Sequence, residues 1–446
     1  MWDCLAIGLN GVIGSGIYLQ LAPLAQRAGP ASVLGVLGSG LMCSLVALCF
    51  AELSGMFDRS GGSYVYARAA FGTYVGFGVG WMSTVANVLG YAAVALGFAE
   101  QLLPPALTPY RVLGLSVSPQ ALVAVAGISF LGVLNYLGVK LGARTLDVLS
   151  VAKVLPLVAL AAVGLFFVRG EVLAQVVSPS AVPAEGGGYG ASVLGTAFLA
   201  VFMLSGFEYT TVPAGEVKHA RLAIPLATVG ALLGATVLYC ALMLVAHSVL
   251  PDLAAHAQPL PEVATRLVGP WGGQLLRTAA LVSMAGFCAG SALVGPRYFT
   301  ALAEDGFLPA RLTALTRHGT PGPAVVLNSA VTSLLVLFLG FGALVDISLV
   351  ALFVQYIATA LAVIALRRTL PDAPRAWRLP WGPVIPALAT GTMLGLLGVA
   401  RPAAREWLLS LEVLVLGVGV WGATAWFRRQ QRARAGAKPA PPPQAG

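Results

Sequence analysis

Residues 11–16 read GVIGSG and place three glycines within six positions of an apolar stretch near the start of the chain. Glycine weakens a helix interior and adopts backbone dihedrals that other residues avoid. The run therefore predicts an interruption inside the first apolar helix. A second run, SGFE at residues 205–208, interrupts another apolar stretch, and a proline follows each interruption at the start of the next apolar segment, Pro30 and Pro225. The two halves of the chain thus carry matching breaks.

The composition around these breaks is that of a membrane protein. Of the 446 residues, 58% are hydrophobic and 10% are charged, whereas a soluble domain carries charge at about 25% of its positions. The apolar runs are continuous, as at residues 121–136 and 409–426, and lack the alternation of a membrane β-barrel. A helix of about 20 apolar residues satisfies its own backbone in lipid. The sequence predicts an all-α polytopic membrane protein with about twelve transmembrane helices.

The matching breaks also predict how the chain is organised. Interrupted segments in corresponding positions of two halves are typical of inverted-repeat transporters with a mid-membrane site. We expect one transmembrane domain over residues 1–428, with repeats at about 2–168 and 192–366 and extra helices at about 383–427. Residues 429–446 predict a disordered cytoplasmic tail. A glycine cluster also serves close helix packing, and the second break is what favours a binding role.

The distribution of arginine and lysine predicts the orientation. These residues are more frequent in the loops after even-numbered helices and in the C-terminal tail than in the other loops. This is the positive-inside pattern, so we expect both termini in the cytoplasm of a multi-pass protein of the cell membrane. Because the basic residues lie between apolar runs, they predict contacts with lipids and no nucleic-acid partner.

The chain shows no sequence pattern of an enzyme. Its five cysteines lie inside apolar runs and its four histidines are scattered. Neither set has the spacing of a disulfide framework, a metal site or a nucleophile–base pair, so we expect no metal, no cofactor and no catalytic residue.

The two breaks supply groups that suit an amino acid. An interrupted helix exposes N–H groups on one side of the break and C=O groups on the other. The former suit a carboxylate and the latter an ammonium, and glycine permits close approach to the backbone. Two phenylalanines flank the second break as candidate lids, for which plain packing is the alternative, and an asparagine in the third helix lines the cavity or bridges helices. The candidate substrate-binding residues are Val12, Ile13, Gly14, Ser15, Gly16, Ile17, Asn87, Phe202, Ser205, Gly206 and Phe207.

Two ionisable residues inside apolar runs are candidates for proton coupling, because an intramembrane charge is costly. Lys153 lies in the middle part of the predicted fifth helix, and Glu208 directly follows the second break. The alternatives are a lysine that reaches the interface along its aliphatic stem and a glutamate in a water-filled vestibule. For Lys153 we favour the coupling role, and for Glu208 the two interpretations stay open.

Four motifs, in matching order and spacing, resemble the amino acid–polyamine–organocation superfamily of permeases. They are IGLNGVIGSGIY at 7–18, AEL at 51–53 with GGSYVYAR at 61–68, the run 202–218 with Ile224 and Pro225, and Arg297-Tyr298 followed by AEDGFLP at 303–309 and GTP at 319–321. The resemblance covers residues 3 to about 368.

The resemblance implies a LeuT-like, five-plus-five inverted repeat with discontinuous helices one and six, and transport by alternating access. Relatives bind substrate through the backbone at the positions of Gly14, Ser15 and Gly16, and often gate with the aromatic residue at the position of Phe202. Lys153 is similar to a lysine of proton-coupled, sodium-independent relatives. Exchangers of arginine or agmatine have a glutamate where Glu208 stands, but a tryptophan at the position of Phe202.

We therefore expect a permease, a secondary active transporter that moves an amino acid or related amine with protons as the coupling ion. The alternatives are an amino acid/amine antiporter and a membrane sensor that binds amino acids without moving them. The small apolar residues and the lack of a further carboxylate favour a neutral substrate. The substrate itself and the oligomeric state stay open.

Overall fold

The computed structural model describes residues 9, 11–57, 59–103, 108, 110–112, 115–138, 143–179, 188–211, 220–256, 258–375, 377–400 and 404–434. Helices make up most of the described chain. In chain order they are α1 (Gly16–Leu19), α2 (Leu21–Ala28), α3 (Ser32–Ser54), α4 (Ser63–Phe71), α5 (Thr73–Leu102), α6 (Pro119–Tyr136), α7 (Ala143–Gly164), α8 (Gly170–Val176), α9 (Tyr189–Leu204), α10 (Ala220–Val249), α11 (Pro259–Val268), α12 (Pro270–Glu304), α13 (Gly322–Phe338), α14 (Phe341–Thr369), α15 (Val384–Ala400) and α16 (Ala404–Arg434).

A short antiparallel hairpin lies between α5 and α6, where we predict no strand. Strands β1 (Tyr110–Val112) and β2 (Leu115–Val117) pair with Arg111 opposite Ser116. The last helix, α16, continues to Arg434, past the predicted start of the tail at residue 429; residues 435–446 lie outside the described chain.

The helices have the length and composition of membrane spans. Within the described ranges, eight segments are long and apolar enough to cross a membrane. A ninth arises if Val151–Phe167 and Gly170–Val176, which meet at a bend of 104°, form one span, and Gly322–Phe338 and Val384–Val399 are shorter apolar helices. The polytopic helical class is thereby confirmed. The eight segments are Leu21–Ser54, Thr73–Leu102, Pro119–Tyr136, Tyr189–Thr211, Leu226–Val249, Pro270–Glu304, Phe341–Thr369 and Leu408–Phe427.

Helix α5 occupies the centre of the helical assembly. It packs against α12 and α14, while α3 packs against α9 and α10. Most of α5 is buried, whereas α16 leaves many of its large apolar side chains exposed. Apolar side chains on an outer helix face suit contact with lipid, because the hydrocarbon offers no penalty for their exposure.

A buried ion cluster joins the end of α3 to the end of α14. The Glu52 carboxylate is fully buried and accepts two hydrogen bonds from Arg367, of 2.8 Å from Nε and 2.5 Å from Nη2. The backbone N–H of Leu379 donates a third, of 2.8 Å, and Arg375 Nε lies 3.4 Å from the carboxylate. Since Glu52 lies near a helix end, its sequence position predicts only an interfacial charge; the structure places it in the interior.

We predict that Glu52→Gln lowers the apparent melting temperature of the purified protein strongly, because removal of one partner leaves Arg367 buried without its counter-charge. Breaking a buried pair of this kind costs about 3–5 kcal/mol. The control is Glu262→Gln, which removes a half-exposed partner of Arg266 at 3.6 Å and costs about 0–1 kcal/mol. Equal melting temperatures for the two variants would contradict a structural role for the Glu52 cluster.

A second charged cluster lies at the end of α12. Asp305 accepts hydrogen bonds from Tyr64 and Arg68 of α4, and Arg59 Nη2 lies 2.9 Å from the same carboxylate oxygen. Partial burial raises the pKa of Asp305, but the hydrogen bonds from Arg68, Tyr64 and Arg59 outweigh it, so the pKa lies below its ordinary value. The ionised carboxylate therefore ties α4 to the end of α12.

We predict that Asp305→Asn lowers thermal stability at pH 7 and that this loss shrinks at acidic pH. The lowered pKa means that Asp305 contributes its full stability above the unfolded-state pKa of about 3.9, and loses it as the pH falls through the folded-state value. Melting curves of both proteins at pH 7 and at about pH 3 test this. Asp252→Asn, an exposed carboxylate 3.0 Å from His256, is the control with little effect at either pH. A penalty for Asp305→Asn that is independent of pH would refute the prediction.

Candidate functional site

The first break lies where the glycine run predicts it. The chain is helical at Gly11 and Val12, bends without forming a helix over residues 13–15, and becomes helical again at Gly16, where α1 begins. Gly14 lies against the Phe287 ring and Gly16 against the backbone of Met203; a Cβ atom would lie 2.8 Å and 2.6 Å from those neighbours. The glycines thus allow close packing as well as an interrupted backbone.

The second break lies at Ser205 and Gly206, between the end of α9 and a 3₁₀ turn over Phe207–Thr211. Gly206 has a φ of 104°, a conformation that residues with a Cβ rarely adopt. Its backbone touches that of Gly11, because a Cβ on either glycine would lie within 2.4 Å of the other residue's carbonyl oxygen. The two breaks are therefore in direct backbone contact.

Side chains from three helices bind the carbonyls that the first break frees. The Lys153 ammonium of α7 donates to Ile13 O. Ser283 Oγ of α12 lies 3.1 Å from Ile13 O and 2.9 Å from Gly14 O, and the Tyr239 hydroxyl of α10 donates to Val12 O at 3.0 Å. An unpaired buried carbonyl is costly, so these contacts stabilise the interrupted geometry.

Glu208 is buried beside the second break, with an exposed fraction of 2%. Its Oε2 accepts hydrogen bonds of 2.9 Å from the backbone N–H of Gly206 and of 2.9 Å from the hydroxyl of Tyr356 on α14. The carboxylate thus holds the turn at Gly206 and joins it to α14.

The two breaks border a small central cavity of about 20 Å³, enough for about one water molecule. Seven of the predicted site residues line it, and the other lining residues come from the first break, α5, α9, the 3₁₀ turn of the second break, α12 and α14. The predicted ones are Val12, Gly14, Ser15, Gly16, Phe202, Ser205 and Glu208; the others are Gly11, Ala86, Gly90, Val94, Met203, Tyr209, Phe287, Ser348 and Leu352.

The other predicted residues lie behind the cavity wall. Phe207 packs against Phe50 and Tyr356, with ring centroids 5.8 Å and 5.3 Å away, so its contacts are those of a core residue. Lys153 contacts the back of the first break, as described above. The rest of this set is Ile13, Ile17, Gly206 and Asn87, all outside the cavity lining.

Residues of α5 form a cavity wall that the sequence does not predict. Ala86, Gly90 and Val94 recur every four positions and therefore share one helix face. A stripe of small residues in one helix was the available signal, but it marks helix packing just as well. Tyr209 and Phe287 also line the cavity, and their rings lie 6.0 Å apart. Among the described residues, no group of three or more His, Cys, Asp or Glu side chains is arranged to hold a metal ion.

Comparisons with known proteins agree with this architecture. A family model described as amino acid permease matches residues 1–407. The chain is 27% identical to the branched-chain amino acid permease BcaP of Bacillus subtilis, over 87% of this chain and 84% of the relative. It is 25% identical to a methylthioribose transporter (88% and 86% covered) and 27% identical to the glutamate/serine transporter AimA (85% and 72%), both from the same organism.

We predict that Gly206→Ala abolishes substrate binding and lowers the melting temperature, because an added Cβ collides with the Gly11 carbonyl at a positive φ. The control is Gly234→Ala in α10, where a Cβ meets nothing within 4 Å; alanine favours a helix over glycine by about 1 kcal/mol, so this variant should keep or gain stability. The test measures thermal melting and amino acid binding for both purified variants. Wild-type binding by Gly206→Ala would show that the contact of the two breaks is dispensable.

Proposed function

The chain belongs to the amino acid permease family, within the amino acid–polyamine–organocation superfamily, and on that premise we propose that it moves an amino acid across the cell membrane by alternating access. The family and the relatives are transporters, so the protein is a multi-pass membrane permease and not an enzyme. The observation that carries the mechanistic proposal is the contact of the two helix breaks beside one central cavity.

The proposed architecture has about twelve spans in a five-plus-five inverted repeat, with both termini in the cytoplasm. One support for this proposal is the pair of breaks, one in each half of the chain. The other is the two shorter apolar helices, which raise the number of candidate spans above that of the longer helices alone. The bend of 104° after Phe167 lies at the end of the first proposed repeat.

In the proposed complex the substrate carboxylate binds the backbone N–H groups of Ser15, Gly16 and Ile17. The ammonium binds carbonyls at the second break, near Phe202 and Ser205, with Glu208 as a nearby negative charge. All of these residues except Ile17 line one cavity, and the N–H groups and the carbonyls carry opposite partial charges. Because about 20 Å³ does not admit an amino acid, the Phe202 and Tyr209 rings must move aside as substrate enters.

Lys153 is proposed as the proton-coupling residue. Its ammonium holds the Ile13 carbonyl, and its resemblance to the lysine of proton-coupled, sodium-independent relatives implies that the protein does not need sodium. Loss of the Lys153 proton would weaken this attachment and let the first break rearrange. A proton can shift the balance between two states when it binds them with different affinity, and this contact provides such a difference.

Exchange of an amino acid for an amine is the second candidate. It is favoured by the Glu208 carboxylate, which lines the cavity and would attract a positively charged counter-substrate.

We predict that an inward proton gradient stimulates amino acid uptake into proteoliposomes several-fold, without sodium, and that Lys153→Met removes this stimulation. Methionine keeps the length of the side chain and removes its proton. The control is Ser283→Ala, which also loses hydrogen bonds to Ile13 and Gly14 but has no titratable group, and should keep the stimulation.

Three other results would argue against coupling through Lys153. Uptake that requires a counter-substrate inside and ignores the gradient indicates the exchanger. Equal stimulation of wild type and Lys153→Met gives Lys153 a structural role. No uptake of any amino acid by folded protein favours a sensor.

A further inference from the structure

A group of buried polar side chains lies between α5, α12 and α13, next to the cavity. Asn87, Ser291 and Asn328 are each at most 2% exposed. Within the described part of the chain, Asn328 Oδ1 has no hydrogen-bond partner. Asn87 Oδ1 and Nδ2 and Ser291 Oγ make no hydrogen bond of good geometry, and their polar neighbour is the Tyr209 side chain. Buried polar atoms nearly always have hydrogen-bond partners. This group, which we call the amide cluster, therefore has room in its hydrogen bonding for a polar ligand.

The amide cluster lies about one helical turn from the cavity wall on two helices. Asn87 precedes the cavity-lining Gly90 by three positions on α5, and Ser291 follows the cavity-lining Phe287 by four on α12. Residues three or four apart share a helix face, so both polar side chains continue faces that border the cavity.

The structure makes room for both amides at one point. A Cβ atom on Gly295 of α12 would lie 2.3 Å from Asn328 Oδ1 and 2.7 Å from Asn87 Oδ1. The two amide oxygens therefore converge on this glycine from two other helices. A residue with a side chain at position 295 would displace them.

Tyr209 separates the amide cluster from the cavity. It lines the cavity, and its side chain also lies beside Asn87 and Ser291. Because the cavity is too small for an amino acid, the substrate must displace a wall, and movement of the Tyr209 ring would join the cavity to the amide cluster.

We propose that the amide cluster binds the side chain of the transported amino acid, and that the substrate is a neutral amino acid with an amide or hydroxyl group, such as asparagine or threonine. This inference rests on the proposed function. The cluster offers both donors and acceptors and carries no charge, so it satisfies a neutral hydrogen-bonding group, whereas an aliphatic side chain leaves it unpaired and a charged one stays uncompensated.

The test compares substrates of nearly equal shape. Uptake of radiolabelled asparagine into proteoliposomes is compared with uptake of leucine, and uptake of threonine is compared with uptake of valine. We expect wild type to prefer the polar member of each pair by about tenfold or more, because a site that hydrogen-bonds its substrate rejects an analogue without that group.

Two variants connect this preference to the cluster. Asn87→Leu and the milder Ser291→Ala should each reduce the preference to about threefold or less, while uptake of leucine and valine persists. Ser410→Ala is the matched control, since Ser410 Oγ in α16 is likewise buried without a partner but lies outside the cavity lining; it should leave the preference at its wild-type value. Size-exclusion profiles establish that each variant is folded.

The outcomes separate this inference from the proposed function. Wild-type protein that takes up leucine or valine as well as asparagine or threonine overturns the side-chain site alone. So does a polar preference that survives both cluster variants. No uptake of any amino acid overturns the proposed function, and the side-chain site with it.

Discussion

The structure depends on how an interrupted helix satisfies its backbone away from water. At the first break the carbonyls of Ile13 and Gly14 lose their helical partners, and the Val12 carbonyl accepts a hydrogen bond from the nearby Gly14 N–H in place of a helical one; in lipid such groups have no solvent to bind. Lys153, Ser283 and Tyr239 supply the missing donors from α7, α12 and α10. The interrupted backbone beside the cavity therefore depends on those three helices keeping their places around it. A local irregularity of six residues thus constrains helices far away in the sequence.

How well the sequence predicts a structural feature depends on how far apart in the chain the interacting residues lie. The two breaks are local, because glycines and a short polar run interrupt apolar stretches, and the structure has them where they are predicted. The long apolar runs that predict a helical membrane protein are equally local in the sequence. The Glu52 cluster is not, since its partner Arg367 is 315 residues away, and a glutamate near a helix end looks ordinary in isolation.

The cavity shows the same division. Backbone positions at the breaks were predictable, while the wall formed by Ala86 and Gly90 was not, because small residues carry no chemical signature. Asn87 and Phe207 stood out for their chemistry or neighbours, yet both lie behind the lining. Tertiary packing decides which face of a helix borders a cavity. The periodicity of apolar residues in one sequence does not reveal that face.

The contact between Gly11 and Gly206 has a bearing on how such proteins diversify. It joins backbone to backbone, so it contains no side chain whose replacement could alter it gradually. The residues that line the cavity on α5, α12 and α14 are separate from this contact, so their side chains can be replaced without altering it. Relatives named for substrates as different as branched-chain amino acids and methylthioribose fit such a division, in which the side chains of the cavity can change while the backbone contact is kept.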